Sequence, residues 1–428
     1  MIKLLATADI HLGRRSSNAG ADHASPRHAW NDFVSYAVNE RYDLVLLTGD
    51  IVDQDNRYFE GSSILEAGLK TLDAKGIHVF VVSGNHDFEV LPSIMKRFRF
   101  KHVRLLGAGG KWEREILNIK GIKVSITGWS FPQRHYKHDP LETIMADPDD
   151  SDIRIGMVHG DLYDAKSQYA PLSKDSLFNL GHHAWFLGHV HKPDTLVGAG
   201  QVKIFYPGSL QALSPKETGP HGALHIELDT AGVQENKQIP FSRTRYERIE
   251  FNLTDEHLDN ADAVRQETDI RLQQLQDDLR NEHENIQSLV TELTVITHHG
   301  IQEAVAFKLS ELKNDEGLDN NGLQLRVRSV SCIGQLPPAD VEALVRQSSP
   351  AGMLARILRA LETDTPIPQS QALEKAIREQ IRSIPGTIFQ PVLTARKESG
   401  REPENEVRDI ALRQCREALN RLINQKNA

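Results

Sequence analysis

Short apolar runs alternate with amphipathic stretches over the first 230 residues. The runs include DLVLLTG and HVFVVSG, which are typical of strands covered on both faces of a sheet. Between the first two runs, Trp30, Phe33 and Ala37 fall at helical spacing. Strands that alternate with helices predict an α/β fold. The predicted strands cover residues 3–8, 44–48, 78–83, 123–128, 153–159, 185–187, 203–206 and 223–228.

The pattern changes after about residue 240. Residues 246–335 mix strand-like runs with a long charged helix, which predicts a smaller α+β domain, and the chain beyond is mainly helical. The last helix carries an apolar stripe that fits packing on its own domain or on a partner. We therefore expect three regions, residues 1–240, 241–340 and 341–428.

Composition narrows the class of protein. A formal net charge of -9 over 428 residues argues against a protein that coats nucleic acid, although it leaves room for a local basic groove. Two cysteines, Cys332 and Cys415, cannot build a disulfide framework, so a reducing cytoplasm is expected. The sequence contains neither a run of about 18 apolar residues nor the apolar core of a signal peptide, so we expect no membrane contact.

Chemistry-bearing side chains follow five of the predicted strands. Ligands of open α/β sheets bind outside the carboxyl ends of the strands, so these side chains are expected to converge on one edge of one sheet. They are Asp9 and His11, Asp50 and Asp53, Asn85, His86 and Asp87, His159, and finally His189 and His191.

These residue types suit hard or borderline divalent cations. Carboxylates, a carboxamide oxygen and imidazoles fit Mn²⁺, Fe²⁺, Zn²⁺ or Mg²⁺, and the lack of thiolates argues against a structural zinc site. Even seven of these groups are too many for one ion that keeps an open position. They predict two ions about 3.5–4 Å apart with one carboxylate bridging them.

Together the blocks Asp9-x-His11, Gly49-Asp50-x-x-Asp53, Gly84-Asn85-His86-Asp87, His159 and Gly188-His189-x-His191 resemble the calcineurin-like metallophosphoesterases. The resemblance implies a two-sheet αββα sandwich, followed by a small α+β capping domain and a helical C-terminal region. It also implies the ligand sets of the two ions. One ion would take Asp9, His11 and His191, the other would take Asn85, His159 and His189, and Asp50 would bridge them.

The resemblance further implies how such a site works. A water or hydroxide between the ions would attack phosphorus, because the cations lower its pKa. His86 would be the general acid or transition-state stabiliser at the leaving oxygen, oriented by Asp53. A loop or helix cap is the alternative role for Asp53. For Asp87 we expect a hydrogen-bonding role behind the ligands.

Several longer stretches resemble one branch of this family, the SbcD-type DNA exonuclease subunits that include the YhaO-like group. They include MIKLLATADIHLG, WFLGHVHKP and IFYPGSLQALSPKETGPHGALHIEL, all within about the first 250 residues. The resemblance implies a Mn²⁺-dependent exonuclease or endonuclease that acts on DNA as a homodimer. Its C-terminal helices would dock on a coiled-coil SMC-like ATPase. Arg14, Arg15 and Arg134 are candidate phosphate contacts, with plain surface charge as the alternative.

Two other functions remain open. One is hydrolysis of a small-molecule or protein phosphoester, which the acidic net charge favours and the roughly 180-residue tail after the catalytic region disfavours. The other is a non-catalytic scaffold, which the intact ligand positions disfavour. In the stretch LGHHAWFLGHVHKP, His189 and His191 are two apart at a strand end and point the same way. His182 and His183 are expected to lie outside the ligand set.

Overall fold

The computed structural model describes residues 1–17, 25–53, 58–144, 150–198, 202–255, 257–313, 318–336, 338–383 and 403–427. The chain forms two compact units. The first comprises Met1–Tyr246 and Arg280–Leu289, and the second comprises Glu247–Leu279 and Val290–Ala428. The three-part division drawn from sequence stays a prediction.

Two six-stranded sheets build the described part of the first unit. The first sheet contains β1 (Ile2–Thr7), β2 (Leu44–Thr48), β3 (His78–Val82), β4 (Val103–Leu105), β11 (Gly222–Asp229) and β12 (Gly232–Pro240), in the order β12-β11-β1-β2-β3-β4. The second contains β5 (Glu113–Ile119), β6 (Ile122–Trp129), β7 (Ile153–His159), β8 (Ala184–Gly188), β9 (Asp194–Val197) and β10 (Lys203–Tyr206), in the order β5-β6-β7-β8-β10-β9. Strands β1 to β4 are parallel, as are β6, β7, β8 and β10.

Alternating side chains on these strands divide the apolar core into layers. Leu4 and Ala6 of β1 lie in the cluster between the two sheets, where they join Ile155 and Phe186 of the second sheet. Leu5 lies in the cluster on the opposite face, which contains residues of the helices. The two-sheet αββα arrangement follows, because each sheet buries one face on the other and its second face under helices or loops.

The first helix of this unit begins with ordinary local signals. Ser25 caps the first helix by accepting a hydrogen bond from the Arg27 amide at 3.3 Å, and Pro26 occupies its first turn. The α-helices of this unit are α1 (Pro26–Asn39), α2 (Tyr58–Ala74), α3 (Val90–Arg97) and α4 (Lys174–Asn179).

The second unit holds most of a third sheet and of a group of helices, and residues 244–246, 280–282 and 288–289 of these elements belong to the first unit. A four-stranded sheet has the order β13-β14-β16-β15, with β13 (Thr244–Asn252), β14 (Ser288–His298), β15 (Leu318–Asn320) and β16 (Leu323–Gln335). The helices are α5 (Ala261–Glu282), α6 (Gln302–Ser310), α7 (Pro338–Val345), α8 (Pro350–Glu362), α9 (Pro368–Ser383) and α10 (Pro403–Asn427). Helices α8 and α10 share an apolar cluster that includes Leu358 and Ala411. No helix of the described residues has the length and apolar character needed to cross a bilayer.

The expectation of a single sheet edge was wrong. The five strands that precede the candidate site residues belong to two sheets, β1 to β3 to the first and β7 and β8 to the second. Apolar runs show that a strand is buried but not which sheet it joins, so the sequence pattern could not separate them. Short or polar strands such as β4, β5, β9 and β12 were also missed, since they lack a continuous apolar run.

Candidate metal centre

The seven predicted ligands lie together where the two sheets meet. Asp9 and His11 follow β1, Asp50 follows β2 and Asn85 follows β3. His159 ends β7, and His189 and His191 follow β8. Ligand atoms of Asp9, His11 and His191 lie within 4.8 Å of one another, as do those of Asp9, Asp50 and His159. Five of the seven are buried, and His189 and His191 are half-buried.

The loops after β1 and β2 are held together by their backbones. The Asp9 amide donates to the Gly49 carbonyl at 3.0 Å, and the His11 amide donates to the Asp50 carbonyl at 2.9 Å. Gly84, in the loop after β3, has no room for a side chain, because a Cβ would lie 2.1 Å from Asp50 Oδ1. The glycine that precedes Asn85 therefore lets the third loop approach the second.

Asp9, His11 and His191 form the first group of ligand atoms. The two imidazole Nε2 atoms of His11 and His191 face each other at 3.3 Å. His191 Nε2 is also 3.7 Å from Asp9 Oδ1. Two ring nitrogens and a carboxylate oxygen that point into one space are the arrangement expected of a metal site.

Asp50, Asn85 and His159 form the second group. His159 Nε2 lies 3.2 Å from Asn85 Oδ1 and 3.5 Å from Asp50 Oδ2. His159 Nδ1 faces the Thr48 carbonyl at 3.0 Å, which accepts its proton and leaves Nε2 available. Asp50 Oδ2 is also 4.0 Å from His11 Nε2, so this carboxylate lies between the two groups. The ring of His189 is 5.5 Å from that of His159.

Burial and charge set the protonation of these side chains. Burial raises the pKa of Asp9. Burial also disfavours charge on Asp50, but the nearby His159 and His11 hold its pKa below the usual range. Burial lowers the pKa of His189 to about 3, which keeps its imidazole neutral. Burial alone would lower the pKa of His191 too, but Glu217 and Asp9 raise it to about 9.

Asp53 and His86 lie beside the first group. Asp53 Oδ2 is 3.6 Å from His11 Nδ1 and 3.3 Å from Arg14 Nε. Ligand atoms of Asp53, His11 and His86 lie within 4.8 Å of one another. His86 Nδ1 is buried and makes no hydrogen bond to the described residues. Asp53 is thus close to His86, but it also faces His11, which the sequence did not indicate. Its role as the acid that orients His86 stays a prediction.

Asp87 holds the loops after β2 and β3 together by hydrogen bonds to their backbones. Its Oδ2 accepts from the Ile51 amide at 2.7 Å, and its Oδ1 accepts from the Gly84 amide at 2.8 Å. Burial and the charge of Asp50 raise the pKa of this carboxyl to about 8. The side chain joins the loops after β2 and β3, and it touches them through backbone amides.

Two further carboxylates at the site were missed by the sequence reasoning. Asp161, two residues after His159, places Oδ2 3.8 Å from His189 Nε2. Glu217, in the loop between β10 and β11, places Oε2 3.4 Å from His191 Nδ1. Asp161 stands in the stretch MVHGD and could have been singled out there. Glu217 had no local signal, because only the fold brings it to the histidine.

The remaining candidates have varied surroundings. Arg14 is 39% exposed at its side chain while it pairs with Asp53, and Arg15 and Arg134 are exposed. These three phosphate contacts stay predictions.

His182 packs on Trp185 with ring centroids 4.3 Å apart. His183 Nδ1 accepts from the Arg154 amide at 2.9 Å. Both histidines therefore have structural partners.

Comparison with known proteins agrees with this geometry. The model of the family described as calcineurin-like phosphoesterase matches residues 2–193. The uncharacterized metallophosphoesterase YhaO of Bacillus subtilis is 31% identical over 215 residues, which are 49% of this chain and 50% of YhaO.

Two archaeal proteins named DNA double-strand break repair protein Mre11 are also similar. That of Methanopyrus kandleri is 21% identical over 262 residues, 57% of this chain and 58% of its own. That of Aeropyrum pernix is 26% identical over 269 residues, 60% of this chain and 64% of its own. The chain thus spans between half and two thirds of these relatives. The candidate ligands and the matched residues together place a calcineurin-like phosphoesterase domain over residues 2–193, similar to YhaO and to the Mre11 repair proteins.

Proposed function

We propose that this chain is a metal-dependent phosphodiesterase that hydrolyses DNA, as the exonuclease or endonuclease subunit of an SbcCD-like repair complex. The observation that carries the hydrolase part is the convergence of Asp9, Asp50, His159 and their neighbours in one buried cluster. The DNA part is supported by the similarity to the Mre11 repair proteins, which extends over 262 and 269 residues and so beyond the family domain.

The donor set fits two divalent cations. In the described part of the chain, the side-chain ion pairs of Asp9 and Asp50 involve histidines alone, although both carboxylates are buried. Buried carboxylates are costly unless they are paired or bind metal. We assign Asp9, His11 and His191 to one ion, Asn85, His159 and His189 to the other, and Asp50 to both.

Divalent ions in these positions would supply Lewis-acid activation of water and neutralisation of phosphoryl charge. We propose Mn²⁺ as the native ion, with Mg²⁺, Fe²⁺ and Zn²⁺ as alternatives, because oxygen and imidazole donors without thiolates suit all four. The ligand histidines must be neutral to bind. The low pKa of His189 meets this condition, whereas His191, with a pKa of about 9, would release a proton as the ion binds.

The protein's own groups supply positioning and proton transfer. The His86 amide donates to Asp50 Oδ1 at 2.8 Å, which fixes the backbone of His86 beside the ligands. Its imidazole would donate a proton to the leaving oxygen, and Asp53 would stabilise the protonated ring. Arg14, Arg15 and Arg134 would hold phosphates of the DNA backbone next to the one being cleaved.

We further propose the partners of the complex. Residues 341–428 would bind the base of a coiled-coil SMC-like ATPase, two copies of the chain would pair as a homodimer, and the protein would act in the cytoplasm. The apolar cluster shared by α8 and α10 gives the described part of this region a packed core on which such a surface could be built.

The test is cleavage of end-labelled linear duplex DNA with Mn²⁺, beside turnover of a generic small phosphodiester. The wild type should cleave DNA only when the metal is present. His86→Ala should lose about 100- to 10,000-fold in rate and keep its bound metal, because His86 acts on the leaving group. His189→Ala should lose both activity and metal.

Other outcomes separate the alternatives. Efficient turnover of the small diester without DNA cleavage would replace the nuclease by a small-substrate phosphoesterase. Failure of both reactions in protein with a full complement of Mn²⁺ would favour a scaffold. Equal loss of metal in His86→Ala and His189→Ala would contradict the assigned roles.

A further inference from the structure

Each of the four histidines of the centre has one ring nitrogen within 3.0–3.8 Å of an oxygen that lies outside the ligand set. A histidine that binds metal through one nitrogen usually donates its other N–H to a carboxylate or carbonyl, which fixes its tautomer and orientation. His159 has the Thr48 carbonyl at 3.0 Å for this purpose, and His11 has Asp53 at 3.6 Å. The corresponding nitrogens of His189 and His191 face carboxylates that lie outside the ligand set.

We infer that Asp161 and Glu217 are positioning residues that orient His189 and His191, with one carboxylate acting on each ion. This inference rests on the proposed two-ion centre. It adds two residues to that centre, one in the loop after β7 and one in the loop between β10 and β11. Each would set the affinity of one ion.

Glu217 is held in place by its own partners. Its Oε2 accepts from the Leu213 amide at 3.0 Å and from Ser209 Oγ at 3.1 Å, and its Oε1 accepts from Ser214 Oγ at 2.9 Å. Its side chain is 12% exposed. Because His191 Nδ1 faces this fixed acceptor, its proton belongs on Nδ1, and Nε2 is left for the ion beside His11 and Asp9.

Asp161 is also held by hydrogen bonds, but its two carboxylate oxygens have different partners. Oδ1 accepts from the Tyr163 amide at 2.9 Å and the Asp164 amide at 3.1 Å. Oδ2 is buried, makes no hydrogen bond to the described residues, and faces His189 Nε2. His189 therefore carries its proton on Nε2, which leaves Nδ1 for the ion.

The separations of these pairs are longer than a hydrogen bond. They are 3.4 Å at Glu217 and 3.8 Å at Asp161. The contacts have to shorten by several tenths of an ångström when the rings are held by ions. Each carboxylate is already fixed by at least two other hydrogen bonds, so the rings rather than the acids would move.

Substitution of the carboxylate by an amide of the same shape should have different effects at Asp161 and at Glu217, because their oxygens have different partners. In Asp161→Asn the carbonyl oxygen stays with the two amides, so the NH₂ group faces His189 Nε2–H and disfavours the required tautomer. In Glu217→Gln the carbonyl oxygen keeps the place of Oε2, and the NH₂ group meets Ser214 Oγ, which can accept. Glu217→Gln should therefore be mild, and Glu217→Ala severe.

The experiment is calorimetric titration of the metal-free full-length protein with Mn²⁺. The wild type should bind two ions. Asp161→Asn and Glu217→Ala should each weaken one binding step about 10- to 100-fold and leave the other unchanged. The double variant should weaken both steps, because the carboxylates act on different ions. Glu217→Gln should restore most of what Glu217→Ala loses.

A matched control is Glu227→Gln. Glu227 Oε1 lies 4.0 Å from His225 Nε2, so it is a carboxylate facing a histidine outside the centre. This variant should bind both ions as the wild type does. The unfolding temperature of each metal-free variant shows that its fold is intact, and should Asp161→Asn fail to fold, the comparison of Glu217→Ala with Glu217→Gln carries the test.

Three results would overturn the inference. They are wild-type affinities in both Asp161→Asn and Glu217→Ala, a double variant that keeps one step intact, and equal losses in Glu217→Gln and Glu217→Ala. Binding of fewer than two ions by the wild type would instead count against the proposed centre, before any variant is compared.

Discussion

Four of the seven candidate ligands have left-handed backbone. Asp9, His11, Asp50 and His189 have φ values of 48°, 49°, 52° and 96°. Such a conformation costs of the order of 1–3 kcal/mol for each residue that is not glycine, and it persists only where the surrounding structure imposes it. For Asp9, His11 and Asp50 the hydrogen bonds between the loops after β1 and β2 impose it, and the His189 amide donates to the Asp9 carboxylate. The backbone turns sharply at each strand end, which aims these side chains at a common point.

His283, away from the centre, contributes to the dependence of stability on pH. Burial lowers the pKa of His283 to about 4, and the nearby Arg243 favours the neutral ring. In the unfolded chain its pKa is about 6.5. Between these values the unfolded state binds the extra proton, so the free energy of unfolding falls as pH drops from about 6.5 toward 4.

The variant His283→Gln should show a weaker fall. Urea denaturation of both metal-free proteins at pH 7.5 and pH 5.0 should show the wild type losing about 1–2 kcal/mol more than the variant. Parallel losses in the two proteins would show that His283 takes up its proton at the same pH in the folded and the unfolded chain.

At the scale of elements, the two sheets meet closely at β2 and β8. A Cβ on Gly188 would lie 1.8 Å from the Thr48 carbonyl oxygen and 2.6 Å from His159 Nδ1. The same carbonyl accepts from His159, so the sheet contact and the ligand geometry depend on one close approach. Absence of a side chain at Gly188 is what permits it.

Gly188→Ala should therefore separate the two strands. We expect a loss of roughly 3 kcal/mol or more in the free energy of unfolding, measured by denaturant titration, because backbone atoms have to move. Gly300→Ala is the control, since a Cβ there meets nothing within 4 Å, and its change should stay within about 0.5 kcal/mol. Similar effects of the two substitutions would show that the sheets adapt to the added methyl.

Across the whole molecule, the sequence predicted the features whose signal lies within one segment of the chain. The strand ends that carry Asp9, Asp50 and His159 were found because a buried apolar run stops at a polar residue, and each such signal lies within one segment. The last helix was found from its apolar stripe for the same reason. Family resemblance then supplied the two-sheet sandwich, which the apolar pattern alone had reduced to one sheet.

What was missed depends on contacts between distant segments. Glu217 meets His191 only after β10 and β11 have formed, and its loop has no periodic pattern. Asp53 approaches His11 as well as His86, a choice that only the packed loops decide. The contact between residues 280–289 and the first unit is likewise invisible in the sequence, because the chain leaves that unit after Tyr246 and then rejoins it.

In the proposed centre, seven side chains that follow strands of two sheets hold two metal ions. The most direct measurement is anomalous X-ray scattering at the manganese edge from crystals of the full-length protein grown with Mn²⁺. Two peaks are expected, one bounded by Asp9, His11 and His191, the other by Asn85, His159 and His189, with Asp50 reaching both. A single peak, or ions bound away from these residues, would contradict it.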